Sequence, residues 1–253
     1  MRCWFISGLT AFYLIATAVG QTIDVKGAKE TATPAADTPM YRPIVLGKGP
    51  NSLVNRIDAQ ALLKGGQKDA LVMFTSFVNK AGKMMESAVY RGTPNSDLLQ
   101  QELKRRLVDA EFIPAIYNHT PVDAVYYGTV SFVVVQGKPR LRIFSNQEYP
   151  ELKSESDFVG PQPVFGGQSH FSGLHYPPAA EAQVPVSGIA DIKIKVDENG
   201  NLEWMEPVGE HPPLVGFAAQ GLVDLDRAKF IPAFREGKPI ACEVTLPLYY
   251  PQP

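Results

Sequence analysis

Around residue 190 the chain alternates strictly: Ala190, Ile192, Ile194 and Val196 interleave with Asp191, Lys193 and Lys195. A period of two over that length predicts a strand with one wet face. Asp197-Glu198-Asn199-Gly200-Asn201 follows. Its Gly and Asn can take the positive φ that hairpin turns require, so Leu202–Val208 is predicted as the return strand. Pro212-Pro213 then suits a helix opening, where a missing N–H costs nothing, and the period lengthens. Phe217, Gly221 and Leu225 recur at i, i+4 and i+8, one face of a helix. Phe230-Ile231-Pro232-Ala233, a turn and a third alternating strand from Ile240 to Leu248 complete the unit.

The same order is written once before. Phe112-Ile113-Pro114-Ala115 precedes Phe230–Ala233 by 118 residues (230 − 112 = 118). Held at that offset without a gap, the chain pairs Pro43 with Pro161, Gly49 with Gly167, Ala61 with Ala179, Val78 with Val196 and Gly82 with Gly200. It also pairs Pro94 with Pro212, Ala110 with Ala228 and Pro121 with Pro239. Self-similarity at a fixed offset marks a duplication. Two copies are too few for a solenoid, so each is expected to be a small domain with its own core. In the earlier copy Leu99, Leu103 and Leu107 take the helix positions, with Asn95 or Ser96 as N-cap. Its third strand, Val122–Val135, passes through Gln136-Gly137-Lys138-Pro139 into a further strand, Arg140–Phe144, without counterpart in the later copy.

The later copy carries Gly166-Gly167, Tyr176-Pro177-Pro178-Ala179-Ala180, a strand, Asp197-Glu198-Asn199-Gly200, a strand and a helix. Phe230-Ile231-Pro232-Ala233, Gly237-Lys238-Pro239 and Val244-Thr245-Leu246-Pro247-Leu248 follow. In kind and order these motifs resemble the C-terminal domain of the TonB energy-transducer family. The earlier copy resembles it through Gly82, the helix, Phe112–Ala115 and Pro121, with Asp58-Ala59-Gln60-Ala61 in place of the Tyr-Pro-Pro-Ala-Ala run. The resemblance implies an α+β fold of two tandem TonB C-terminal-like domains, each a small antiparallel sheet of about three strands packed by a helix (β-β-α-β). The expected divisions are a signal peptide at 1–20, a flexible tether at 21–40, a degenerate domain with an extra hairpin at 41–147, a linker at 148–158 and the clearer domain at 159–253.

In function the resemblance implies a protein-interaction module that binds an extended segment of an envelope or outer-membrane transport protein by β-strand addition. Backbone hydrogen bonds then supply affinity and alternate side-chain pockets supply selectivity. A full energy transducer has an uncleaved membrane helix bearing Ser and His, then a long Pro-rich spacer. Here Ser7 is present but the first histidine is His119, and the only prolines up to the start of the first copy are Pro34, Pro39 and, just inside it, Pro43. Binding is therefore expected without force transmission.

Arg2 precedes an uncharged run, Trp4 to Gly20, ending in Ala16-Thr17-Ala18 and Ala18-Val19-Gly20, the small-x-small pattern of signal-peptidase sites. The expectation is export and cleavage, giving a periplasmic protein. The alternative is an inner-membrane anchor, since about eighteen apolar residues nearly reach across the hydrocarbon core. Residues 21–40, rich in Ala, Thr, Asp, Lys and Pro, read as a tether.

A net charge of −2 leaves no basic excess for nucleic acid. Export would leave Cys242 alone, without a disulfide partner. His119, His170, His175 and His211 stand in turn or loop contexts and never at i, i+4, so no metal is expected. Asp197-Glu198 belongs to a turn, and no Gly-x-Ser-x-Gly, phosphate loop or Cys-x-x-Cys occurs. No enzyme activity and no cofactor are expected, and Trp204 is expected in the core.

The candidate site is the third strand of the later copy. With few residues after it, no fourth strand is expected to cover it, and an unpaired strand is a hazard unless managed or used. Ile240, Ala241, Cys242, Glu243, Val244, Thr245 and Leu246 are thus the expected partner-docking edge, or the seam along which the copies or two chains pair. In the earlier copy Arg140–Phe144 is expected to occupy that edge. The alternative functions are a structural envelope protein whose copies pair as a pseudo-dimer, and a membrane-anchored transducer if the N-terminal segment is retained.

Overall fold

The computed structural model describes residues 38–178 and 186–253. The expected signal peptide and most of the tether lie outside the described residues, as do Ala179 and Ala180. In the earlier copy Tyr41–Arg42 (β1) and Val45–Leu46 (β2) lead to two short helices, Leu53–Arg56 (α1) and Ala59–Lys64 (α2). Asp58 caps α2, accepting the Ala61 N–H at 2.9 Å. Ala70–Val78 (β3) and Met84–Gly92 (β4) form the hairpin, and Asp97–Leu107 (α3) packs on it. Phe112–Ile113 (β5), Ala115–Tyr117 (β6) and Thr120–Val122 (β7) carry the chain to Ala124–Val135 (β8) and Lys138–Phe144 (β9). The later copy comprises Tyr149–Ser154 (α4), Gln162–Pro163 (β10), Gly188–Val196 (β11), Leu202–His211 (β12), Phe217–Leu225 (α5), Phe230–Ile231 (β13), Ala233–Arg235 (β14), Lys238–Ile240 (β15) and Cys242–Tyr250 (β16). The two main sheets are antiparallel, in the orders β4-β3-β8-β9 and β12-β11-β16, so the fold is α+β.

The 118-residue offset reappears as strand register. Val72 faces Gly92, Met73 faces Arg91, Phe74 faces Val89 and Val78 faces Met84. Adding 118 to each number gives Ala190 with Glu210, Asp191 with Gly209, Ile192 with Pro207 and Val196 with Leu202, the pairing between β11 and β12. Both hairpins bulge before Phe74 and Ile192, and again before Val78 and Val196. Each bulge puts two residues opposite one and bends its strand, so a shared pair of bulges is a detailed match of backbone. Ala70–Phe132 through Val78–Ala124 likewise maps onto Gly188–Tyr250 through Val196–Cys242.

Phe-Ile-Pro-Ala recurs because it ties each hairpin turn to the segment that follows the helix. Phe112 and Phe230 donate their N–H groups to the carbonyls of Gly82 and Gly200 at 2.9 Å in both copies. Those glycines have φ of +79° and +77°, and a Cβ on them would lie 2.1 and 1.9 Å from the Phe112 and Phe230 oxygens. Only glycine satisfies both demands.

Four expectations change. The register slips in the opening segment: Tyr41 faces Tyr117, so the offset would pair Val159 with Arg235, yet Val159 pairs with Phe234. The third strand is broken, because Ile240 closes a tight hairpin on Ala233, Ala241 lies between strands and β16 begins at Cys242. The chain must turn out of that hairpin before it can join β11. Residues 148–158, expected as a linker, contain α4 and bury Leu152 and Phe158. The cores also interlock: Val164, Ile231 and Phe234 join the core of the earlier copy, while Val125 and Tyr127 join that of the later one. The described residues accordingly form one compact unit.

Phe112 and Phe230 are both buried, at 6% and 0% exposure. Truncating either to Ala is expected to cost about 3 to 5 kcal/mol, read as a lowered urea midpoint. A loss below about 1 kcal/mol at one site only would contradict equivalent roles.

Candidate functional site

Of the seven candidate residues, Ile240 and Ala241 lie outside the long strand and Cys242 to Leu246 open it. One side of β16 is taken by β11. On the other side the Thr245 N–H donates to Oε1 of Glu148 at 2.8 Å. Alternation along an antiparallel strand turns Glu243, Pro247 and Tyr249 the same way, and Pro247 has no N–H to offer. Tyr127, Gln147, Glu148, Phe158 and Pro161 close around Val244–Pro247, leaving a cavity of only about 20 Å³. The middle of the candidate edge therefore lies in the seam between the copies. In the earlier copy the counterpart of Cys242–Leu246 is Ala124–Gly128, which β9 does not reach because it pairs only with Thr129–Val135; there Ala124 bridges Val164 and the Gly128 carbonyl accepts from Gln147. No ladder joins the two main sheets among the described residues. The copies meet through side chains and the 144–164 segment rather than by pairing main-sheet edges.

The seam is built from groups far apart in sequence. Tyr90 stacks on Tyr249 with ring centroids 5.7 Å apart and donates its hydroxyl to Oε1 of Gln147 at 2.6 Å. Nε2 of Gln147 donates to the Phe74 and Gly128 carbonyls, each at 3.2 Å. Arg91 pairs with Asp191 at 3.1 Å and Arg235 with Glu151 at 2.7 Å. The Gln162 side chain accepts from the Ile44 N–H at 2.7 Å and donates to the Ile44 carbonyl at 3.1 Å.

Burial pushes the Glu148 carboxyl above the usual carboxylate range, against the pull of the Thr245 N–H and with Glu151 adding to the rise. A carboxyl with a raised folded value stabilises most below its unfolded value, and that contribution is lost as pH rises through the folded value. Burial, with Glu148 nearby, pushes the Cys242 thiol up to about 12. It stays protonated at neutral pH and is a poor nucleophile.

The open edge of the later copy is β12. Among the described residues nothing pairs with its outer side, and most of its side chains are exposed. Trp204, expected in the core, faces Lys195 across the ladder and is 36% exposed. That places it on the wet face, where Lys193 stands 5.6 Å from its ring. Lys195 pairs with Glu203 at 2.7 Å beside it.

At the end of β12 the Glu210 carboxylate accepts from the N–H groups of Val215, Gly216 and Ala218 at 2.7, 3.1 and 2.7 Å. It thereby caps α5, which starts at Phe217 rather than at the prolines because Gly216 takes the N-cap position with φ of 98°. Burial raises the Glu210 carboxyl, but those backbone donors outweigh it and hold the group below the usual range.

One polar cluster was not legible in the sequence, because its members lie up to 75 residues apart (250 − 175 = 75). Asp224, buried on α5, accepts from the His175 N–H and Nδ1 at 3.0 and 2.8 Å, from Gln220 at 2.9 Å and from the Tyr250 hydroxyl at 3.1 Å. These contacts tie the loop around His175 to the helix and to the last strand. Among the described residues no group of three or more His, Cys, Asp or Glu is placed to hold a metal ion. No helix among them is long and apolar enough to cross a membrane. A scan of protein-family models finds no match to the chain, and a search of curated proteins finds none either.

Replacing Glu148 by Ala should leave the Thr245 N–H unpaired and cost about 1 to 3 kcal/mol. Glu148→Gln keeps an acceptor and removes the buried charge. Its stability relative to the parent is expected to improve from pH 4 to pH 7 in urea titrations, and the reverse trend would contradict the raised carboxyl.

Proposed function

We propose that the chain is a non-enzymatic protein-interaction module of the TonB C-terminal kind, exported to the periplasm. It takes an extended segment of an envelope or outer-membrane transport protein by strand addition. Support comes from the motifs that carry the resemblance: Gly200 and Phe230–Ala233 are the residues that lock the hairpin turn to the returning segment, and Gly82 with Phe112–Ala115 repeat the lock.

The observation that carries the reading is the contrast between edges. The last strand of each copy is closed, in one case by β9 from Thr129 onward and by Val164 and Gln147 before it, in the other by the seam, whereas β12 offers an unpaired outer side. Backbone hydrogen bonding at such an edge is the source of affinity in strand addition. Pro207 and the bulge near Val208 interrupt a regular ladder, so the docking stretch is Leu202–Glu206, beside the Trp204 face and bent at Glu203 by the second bulge.

A photo-crosslinking phenylalanine placed at Glu203, Glu206 or, as a contrast, Thr245 tests this in envelope extract. Adducts are expected from the first two positions and not from the third. Adducts from Thr245 alone would return the site to β16, and none from any position would contradict the module reading.

A further inference from the structure

The two copies enclose a groove of about 380 Å³ that neither forms alone, within the size range of ligand sites. The earlier copy contributes Phe77 and Met85, and the later copy Phe165, Leu174 and Tyr249. Phe77 meets Phe165 edge-on with ring centroids 5.7 Å apart, and Phe165 meets Phe171 in the same way at 6.0 Å, so the aromatic wall is fixed by packing. Met85 is 68% exposed at its rim. The repeat does not build this groove twice, because the residues 118 positions after Phe77, Met85 and Asp123 are Lys195, Glu203 and Ala241.

Its charge is one-sided. Glu86 and Asp123 are the ionisable acids of the wall, and no Lys, Arg or His lines it. Asp123 is held in place, with Oδ1 accepting the Lys80 N–H at 2.6 Å and its carbonyl accepting the Phe165 N–H at 2.8 Å. Glu86 is exposed on β4 and forms no ion pair among the described residues. An anionic occupant would face two carboxylates without compensation, whereas a cation beside an apolar group meets both features. Aromatic ring faces add to the attraction for a cation.

We infer that this groove receives an apolar side chain flanked by Lys or Arg on a partner protein, a second contact in addition to the strand pairing at β12. The inference rests on the protein-binding reading above and supplies the partner chemistry for it. A second copy of the chain meeting this groove by a two-fold contact is a poorer occupant, since the same patch would face itself and bring another Glu86 toward the first, and like charges in close apposition repel.

The test uses the full chain with methyl-labelled Met, Val and Leu and three peptides: acetyl-Lys-Phe-Lys-amide, acetyl-Glu-Phe-Glu-amide and acetyl-Lys-Gly-Lys-amide. The first is expected to shift the methyl signals of Met85, Val78 and Leu174 and to bind at least tenfold more tightly than the other two. Glu86→Lys, on an exposed strand position, should weaken it at least fivefold with the spectrum otherwise that of the folded chain. Equal binding of the three peptides, no binding of the first, or shifts confined to other methyls would overturn the inference. Loss of the groove response with β12 adducts intact overturns the groove alone. A groove response without β12 adducts overturns the strand-addition reading instead.

Discussion

The hydrogen bond from the Thr245 N–H to Glu148 marks the constraint on which the arrangement depends: the last strand of each repeat ends a sheet and cannot be left as an open template. Unpaired edges invite association with other chains. The earlier copy resolves this locally over Thr129–Val135, by turning at Gln136-Gly137 and laying β9 beside β8, while Ala124–Gly128 meets Val164 and Gln147. The later copy resolves it by leaning β16 on the earlier copy, with Glu148 supplying an acceptor and Tyr127, Gln147 and Phe158 excluding water around it. Closing that edge fixes how the copies sit together and leaves β12 as the open edge of the three-stranded sheet.

The sequences of the two copies have diverged where this asymmetry demands it. On the sheet face away from its helix, the earlier copy carries Phe77, Val125 and Tyr127, and the 118-residue equivalents in the later copy are Lys195, Glu243 and Thr245. One face is an apolar seat, buried against the later copy. The other is wet, laced by Lys193–Glu243 and Lys195–Glu203 pairs. Burying Val125 and Tyr127 supplies apolar contact of roughly 1.5 to 3 kcal/mol per large side chain. Exposed ion pairs add little to stability because both partners stay solvated, so the wet face needs no cover.

The backbone of each repeat was legible because it obeys local rules. Alternation at Ala190–Val196, glycine at Gly82 and Gly200, and the Phe-Ile-Pro-Ala segment each specify geometry within a few residues, and the offset carried the pairing from one copy to the other. Contacts between the copies obey no such rule. Nothing near Thr245 announces Glu148, and nothing near Asp224 announces His175 or Tyr250. Glu148, Glu151 and Asp157 read as linker by composition, yet their carboxylates satisfy a strand N–H, Arg235 and the Glu236 N–H. Trp204 was misplaced because size suggested burial where strand parity places it outward. Ile240–Leu246 does not form one edge, because Ile240 pairs with Ala233 and β16 begins at Cys242, and the cover over Thr245 comes from a residue about a hundred positions earlier (245 − 148 = 97).

Amide hydrogen exchange resolved by residue tests the central claim most directly. If the seam closes β16, the Thr245 amide should exchange as slowly as the amides of Ile192 and Ile194 in the middle of the sheet, while amides in Leu202–Glu206 that point away from β11 exchange far faster. A Thr245 amide exchanging as fast as those outward β12 amides would show that the edge is open and that the copies do not meet in this way.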